Sequence, residues 1–289
     1  MVALALEILP FSRQYRRDVL RLIDDRATWL HVHLDWHSVD DWINDPNVPI
    51  FVAVQARRIV GVMAATPPES GGVWLRLAAI HSEFHLGNAL EALWRMLRAK
   101  LVALGGREVA ILALHPWIAQ YLPLLGFRYL EDIVTLRRSS PEVPQPLHTA
   151  VRVRHVDWRS AEVATEIDHA AFDPLWRLPY SAIRQAARVA ASFTLAELDG
   201  RAVGYQMTTL HGDTLHLARL AVRPSLQGSG IGGALLSEML EAFKQRGVMH
   251  GTVNTQATNL RSRRLYMRYG FLPNGYDMPC YYQALTETP

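Results

Sequence analysis

One cysteine, Cys280, and two lysines, Lys100 and Lys244, are all that 289 residues hold of those types. A single cysteine excludes an intrachain disulfide and fits a reducing compartment. With lysine nearly absent, the basic side (Lys+Arg 30 against Asp+Glu 27) rests on arginine. The planar fork of that side chain suits phosphate and carboxylate. The arginines are scattered, with no long basic run and no interleaved aromatic ladder, which argues against nucleic-acid binding. No apolar run approaches the roughly 20 residues that span a bilayer. The opening MVALALEILP lacks a basic leader and contains Glu7, so it reads as a strand and not a signal peptide. Charged residues are 20% of the chain, which argues against general disorder. The expectation is a soluble, cytoplasmic protein without a membrane or nucleic-acid partner. Oligomeric state is not legible.

What the chain does have is length for two domains, a hydrophobic fraction of 49%, and an internal echo. Ile23-Asp24 returns as Ile167-Asp168, RRIVGV (57–62) as GRAVGY (200–205), RLA (76–78) as RLA (219–221), and Gly126-Phe127 as Gly270-Phe271. Ordered matches at nearly one offset indicate a duplicated unit. Between the copies, SSPEVPQPLH (139–148) has three prolines and no apolar periodicity. It reads as a linker. The expected division is therefore 1–138, a linker at 139–148, and 149–289.

The second copy is the clearer one. AVRVRHV (150–156) alternates as a strand, and SAEVATEIDHAAF (160–172) repeats as a helix. Residues 192–210 form a hairpin turning at Asp199-Gly200, and 214–222 form another strand. Helices are expected at 231–246 and 259–269, each closed by glycine, with a strand near 249–254 between them. One or two strands end the chain. The expectation is a sheet with helices on its faces.

Within VRPSLQGSGIGGALL (222–236), four glycines fall in six residues directly before a helix. Glycine lets backbone N–H groups turn inward, and a helix N-terminus adds unpaired donors and partial positive charge. That is a device for holding phosphate, although the same glycines could serve only a tight turn. A Walker loop needs Lys-Ser or Lys-Thr after its glycines, and none is present. Gly228-Ser229-Gly230-Ile231-Gly232-Gly233 matches a dinucleotide fingerprint as a string, but the preceding strand belongs to a hairpin-rich unit.

Gln227-Gly228-Ser229-Gly230-Ile231-Gly232, preceded by Val222-Arg223-Pro224, resembles the acetyl-CoA loop of the GNAT (Gcn5-related) N-acetyltransferase family. NLRSRRLYMRYGF (259–271) resembles the second half of that family's signature, with Asn, then Tyr seven later, then Gly-Phe. The likeness covers 150–285 in element order, and a weaker copy covers about 5–138. Tandem members of the family exist, and the layout here is similar. The resemblance implies an α/β (α+β) protein of two GNAT-like domains, each a mixed, mostly antiparallel sheet flanked by helices. It implies an N-acetyltransferase with acetyl-CoA as cosubstrate, no metal, and a small-molecule or peptide amine as acceptor. The alternative is a non-catalytic CoA-binding or interaction scaffold.

Carried onto this chain, the resemblance gives Leu220, Ala221 and Val222 to the pantetheine arm. Gln227, Gly228, Ser229, Gly230, Ile231 and Gly232 would hold the pyrophosphate. Asn259 and Ser262 would face the arm from the next helix, with Ser262 standing where the family usually has alanine. Tyr266 takes the place of the general acid, and His216 that of a base on the strand before the loop. Each also has a plain reading, Tyr266 as a core aromatic and His216 as an inward strand residue. Arg261, Arg263, Arg264 and Arg268 read as a solvated helix face, with some able to meet the 3′-phosphate of CoA. Asp173 and Asp277 are acids near the expected cleft. HVHLDWH (31–37) offers His31, His33 and His37 as metal ligands, but their spacing fits no single helical face and no cysteine assists.

The first copy reads HSEFHLGNALEALW (81–94) in place of the glycine loop, keeping only Gly87. Leu122 stands at the position of Tyr266, followed by Pro123. The first domain is expected to be a degenerate copy that braces the second and walls one side of its acceptor cleft, or else binds a ligand or partner of its own.

Overall fold

The computed structural model describes residues 6–146 and 150–285. Expectations for 1–5, 147–149 and 286–289, including the last part of the supposed linker, fall outside them. The chain divides into two compact units. One runs to Leu130 and resumes at Pro279, and the other is Glu131–Met278.

In chain order the first unit has β1 (Glu7–Pro10), α1 (Arg16–Asp24), β2 (Thr28–Val32), α2 (Val39–Ile43), β3 (Ile50–Gln55), β4 (Arg58–Ala65), β5 (Gly72–His81), α3 (Leu86–Ala103), β6 (Glu108–Leu112) and α4 (Pro116–Tyr121). The long strand β7 (Arg128–Arg138) leads into the second unit. There follow β8 (Arg152–His155), α5 (Ala161–Ala171), α6 (Tyr180–Val189), β9 (Ser192–Leu198), β10 (Arg201–His211), β11 (Thr214–Val222), α7 (Ile231–Gln245), β12 (His250–Gln256), α8 (Leu260–Arg268) and β13 (Leu272–Pro273). The last strand is β14 (Met278–Ala284).

Strand order in the first unit is β1-β3-β4-β5-β6-β14, with β2 added on β5. In the second it is β8-β9-β10-β11-β12-β7, with β13 on β7. The two orders correspond, and in each a parallel pair (β5 with β6, β11 with β12) sits among antiparallel neighbours. Each unit is thus the expected mixed, mostly antiparallel sheet flanked by helices. The sixth place is filled crosswise. Cys280–Ala284 pairs with Leu112–Glu108 in the first unit, and Ile133–Arg138 pairs with Gln256–Gly251 in the second. The compact units therefore differ at both ends from the division drawn at the proline-rich stretch. A strand belongs with the sheet that satisfies its backbone.

The local reasons are those read from the sequence. Asp199 and Gly200 both have positive φ, 50° and 75°, which a two-residue hairpin of this hand requires. In α7 the buried residues Ile231, Leu235, Leu236, Met239, Leu240 and Phe243 face the sheet. Gly204 on β10 permits that approach. A Cβ there would lie 2.9 Å from the Ala221 carbonyl and 3.3 Å from both Ile231 and Leu235. Helix α6 escaped the sequence reading, because its short buried set, Ile183 and Ala186, lies among arginines and alanines.

The supposed linker is packed over its described part. The Pro144 carbonyl accepts from Ser237 Oγ at 2.9 Å, and Val143 joins the core beneath α7. The buried guanidinium of Arg138 donates to the Tyr269 and Glu142 carbonyls, and burial lowers its pKa. Removing that guanidinium leaves buried carbonyls unpaired. Arg138→Ala should therefore cost about 2–3 kcal/mol by urea denaturation. It should also open 139–146 to limited proteolysis, while the wild-type stretch resists cleavage.

Candidate functional site

Strands β11 and β12 pair only over Thr214–Leu217 and His250–Val253. Beyond that they part. Across β11, Leu220–Val222 stays bonded to Gln206–Gly204 of β10, after a bulge between Met207 and Thr208. The other edge of Leu220–Val222 opens on a cleft of about 410 Å³. Of the residues expected to hold the cofactor, Leu220, Ala221, Val222, Gln227, Gly228, Gly230, Gly232, Asn259 and Ser262 line it. Ser229 is exposed with its hydroxyl on the Leu226 carbonyl, and Ile231 is buried as the first residue of α7.

The floor of the cleft at its loop end is built from backbone. Gly228 and Gly230 both have φ of +89°, a conformation that costs other L-residues about 1–2 kcal/mol. A Cβ at Gly228 would meet nothing within 4 Å. Gly230 caps α7 without any side-chain bond, so the first N–H groups of the helix have neither an internal partner nor a side-chain cap. Gln227 acts as a brace rather than a donor to the cleft. Its Nε2 donates to the Val222 carbonyl at 3.1 Å, and its Oε1 accepts from Arg261 at 2.5 Å. Arg261 thereby carries a positive charge to the rim of the loop.

Helix α8 forms the far wall. Asn259 caps it by accepting from the Ser262 N–H at 3.0 Å. The turn before it is held by Glu131, which accepts from Gln256 Nε2 at 2.8 Å and from Thr258 Oγ1 at 2.6 Å. Glu131 belongs to β7, in the other repeat, and nothing in its sequence neighbourhood marked it. Ser262 faces the cleft. Tyr266, one turn on, is 5% exposed and not among the described residues that line it. Burial pushes the phenol up to about 12, against the pull of the Arg219 charge and a hydrogen bond with Ser262. His216 lies in the paired part of β11, its Nδ1 2.9 Å from Thr252 Oγ1, and it too is not among the lining residues.

The near wall is the segment Phe172–Leu178, and a buried ion pair fixes it. Asp168 is wholly buried on α5 and receives Arg219 twice, at 2.7 and 2.9 Å. Tyr205 Oη donates to Asp168 at 2.6 Å, and the Leu178 N–H at 3.0 Å. Arg219 also donates to the Trp176 carbonyl at 2.6 Å and lies 3.6 Å over the Phe172 ring. Burial opposes the Arg219 charge, yet Asp168 and Tyr205 hold its pKa above the usual value. Phe172, Asp173 and Trp176 line the cleft from this wall, and the sequence reading had picked out only Asp173. Asp277 is exposed and not among the lining residues.

The first unit shows what happens without that wall. Strand β5 pairs with β6 only at Gly72–Trp74 and then parts from it. Its Ala78–Ile80 lies opposite Met63–Gly61, as Leu220–Val222 lies opposite Gln206–Gly204. Here β2 fills the gap, bonding Thr28–Val32 to His81–Leu77. The edge that is open in the second unit is a sealed sheet in the first. Arg76 pairs instead with Asp35 at 3.1 Å and His33, while Asp24 is exposed. His85 caps α3, its ring accepting from the Asn88 N–H, and a Cβ at Gly87 would lie 3.2 Å from Tyr121. His31, central on β2, is fully buried, and burial drops its pKa to about 3. Among the described residues no three His, Cys, Asp or Glu side chains gather as a metal site, and no helix is long and apolar enough to cross a membrane.

Comparison with known proteins agrees with this geometry. A model of the acetyltransferase (GNAT) family matches residues 154–271. The chain is 33% identical over 289 residues to the mycothiol acetyltransferase of Acidothermus cellulolyticus, covering 90% of this chain and 78% of that one. It is 26% identical over 199 residues to the mycothiol acetyltransferase of Streptomyces coelicolor, covering 64% of each. The chain spans 58–64% of the length of the first curated relatives it matches. Among solved structures, a tandem GNAT protein from the clavulanic acid biosynthesis pathway superposes with a TM-score of 0.64, covering 99% of this chain and 100% of that chain. At 15% identity that likeness is one of fold. With the open strand edge and uncapped glycine loop inside the matched segment, and a 33%-identical relative aligned along nearly all of the sequence, the chain belongs to the GNAT family of acetyltransferases.

Proposed function

We propose that this chain is an acetyl-CoA-dependent N-acetyltransferase with one active site, in the cleft of the second unit. The observation that carries the reading is the open edge at Leu220–Val222 running into an uncapped, glycine-rich helix start. An acyl-pantetheine arm needs backbone partners along a strand, and a pyrophosphate needs converging N–H donors. Gly228 to Gly232 would supply the donors, with the free first turn of α7 behind them. Arg261 would add a cation for phosphate. The main chain of Leu220–Val222 would bond the arm and polarise the acetyl carbonyl, where negative charge develops on attack.

In the transfer, an amine nitrogen bonds to the carbonyl carbon and the C–S bond breaks. The leaving sulfur takes a proton from the Ser262 hydroxyl, which faces the cleft and is reprotonated in the same step by the Tyr266 phenol bonded to it. The proton lost by nitrogen passes to solvent, since His216 is bonded to Thr252 and does not line the cleft, and the phenol regains its own through Ser262. A phenol raised to about 12 is a weaker acid than a thiol near 8.5. The transfer is therefore coupled to C–S cleavage, with Arg219 stabilising the phenolate as it forms. The acceptor is a small molecule or peptide bearing a primary amine, in keeping with the names of the mycothiol acetyltransferase relatives.

Tyr266→Phe keeps the ring and its packing. Turnover should fall roughly 10²-fold while the KM for acetyl-CoA stays within about twofold. Turnover that stays within a factor of two makes Tyr266 a core aromatic and nothing more. In wild type the raised pKa keeps the phenol protonated, so no alkaline loss of turnover from this group is expected until pH nears 12. Stability follows the opposite course. The unfolded phenol ionises near 10 and the folded one only near 12, so stability falls across that window.

Gly228→Asp should tolerate its positive φ better than most substitutions and meets open space. It would set a negative charge beside the pyrophosphate. Affinity for acetyl-CoA should drop at least tenfold, about 1.4 kcal/mol, in calorimetry, with a thermal midpoint close to wild type. The same titration of wild type should give one acetyl-CoA per chain, because β2 seals the corresponding edge of the first unit. Two equivalent sites would defeat that reading.

A further inference from the structure

The lining of the cleft is electrically bipolar. Among its described residues there is one acid, Asp173, and one base, Arg261. Arg261 is tied to the glycine loop through Gln227. Asp173 stands on the opposite wall, between Phe172 and Trp176. Its carboxylate is exposed, and among the described residues it has no ion pair or side-chain hydrogen bond. Its place is nonetheless fixed. The Asp173 carbonyl accepts from the Trp176 N–H at 2.9 Å, and the Phe172 N–H donates to the Asp168 carbonyl at 3.0 Å. Arg177 Nε reaches the Phe172 carbonyl at 3.0 Å, and Arg219 holds the Trp176 carbonyl.

A lone carboxylate in a cleft meant for a polyanionic cosubstrate would be a liability if it faced the phosphates. Its wall is fastened at Arg219, upstream on β11 of Val222 and the turn into the loop, and there the carboxylate does two other things. It attracts a cation, and it repels an anion from the end where attack occurs. The flanking aromatic side chains supply an apolar surface beside it, which favours an ammonium carried on a hydrocarbon or ring.

Resting on the cleft reading above, we propose that Asp173 is the acceptor-recognition residue, and that the acceptor is an amine with net positive charge and no anionic group beside the nitrogen. Amines and amino-acid amides belong to that class, and free amino acids do not. The same carboxylate keeps the acceptor's ammonium at the mouth of the cleft until it loses its proton and attacks.

The test uses the full chain, acetyl-CoA and matched probes. Tyramine and tyrosinamide are compared with tyrosine, and agmatine and argininamide with arginine, following thiol release above the amine-free rate. Expected is kcat/KM at least tenfold higher for the amines and amides than for their parent amino acids. In Asp173→Asn the KM for amines should rise at least tenfold and the gap between classes should shrink. The KM for acetyl-CoA should stay within about twofold of wild type. Equal use of amino acids and amides, an unchanged amine KM in the variant, or no turnover of any cationic amine by a protein that binds acetyl-CoA overturns the proposal. Failure to bind acetyl-CoA at all is a different result, and it overturns the cleft reading itself.

Discussion

The Arg219–Asp168 pair is the interaction on which the site depends. Two opposite charges are taken out of water, and bidentate geometry, the Tyr205 hydroxyl and the Leu178 N–H satisfy the carboxylate. Removing one partner of such a pair leaves a buried charge alone and costs about 3–5 kcal/mol. Its position matters more than its energy. Arg219 lies on β11, directly before the strand edge that opens on the cleft, and Asp168 lies on α5, directly before the wall. By holding the Trp176 carbonyl and stacking on Phe172, Arg219 keeps that wall beside the edge and out of the gap.

The first unit is the natural control. It keeps the strand order, the short parallel pair and the parting strands, and it keeps the arginine as Arg76. It lacks a buried acid for that arginine, and Arg76 turns to His33 and Asp35. The chain after α1 then folds as β2 into the gap and completes the sheet. Unpaired strand edges invite such pairing. The edge that β2 covers in the first unit is open in the second, where the arginine has a buried acid as partner. The loss of glycines and the His85 cap on α3 agree with that outcome, because a helix start capped by a side chain has little left to offer a phosphate.

Crosswise exchange of the sixth strand also shapes the site. Glu131, on β7, holds the turn that carries Asn259, so the C-terminal cleft is finished by a residue from the N-terminal repeat. The packed stretch after β7 covers α7 and takes the Ser237 hydroxyl.

Sequence alone determined what depends on local chemistry. The hairpin at Asp199-Gly200, the helix behind the glycines, and the Asn259 and Gly270 ends of α8 follow from caps, turns and periodicity over a few residues. The glycine-rich turn before α7 was legible because the positive φ at Gly228 and Gly230 calls for glycine, whereas Leu220–Val222 was singled out only through the family resemblance. Only the tertiary structure decided the rest, because it depends on partners far apart in sequence. Phe172 and Trp176 become a wall through Arg219, and Glu131 reaches α8 across the sheet. Gln227 is a brace because Val222 and Arg261 meet it in space. Tyr266 is buried behind Ser262, and that burial raises its pKa. The first unit's missing glycines could be read directly, but that β2 lies in its groove could not, since alternation marks a strand without naming its neighbour.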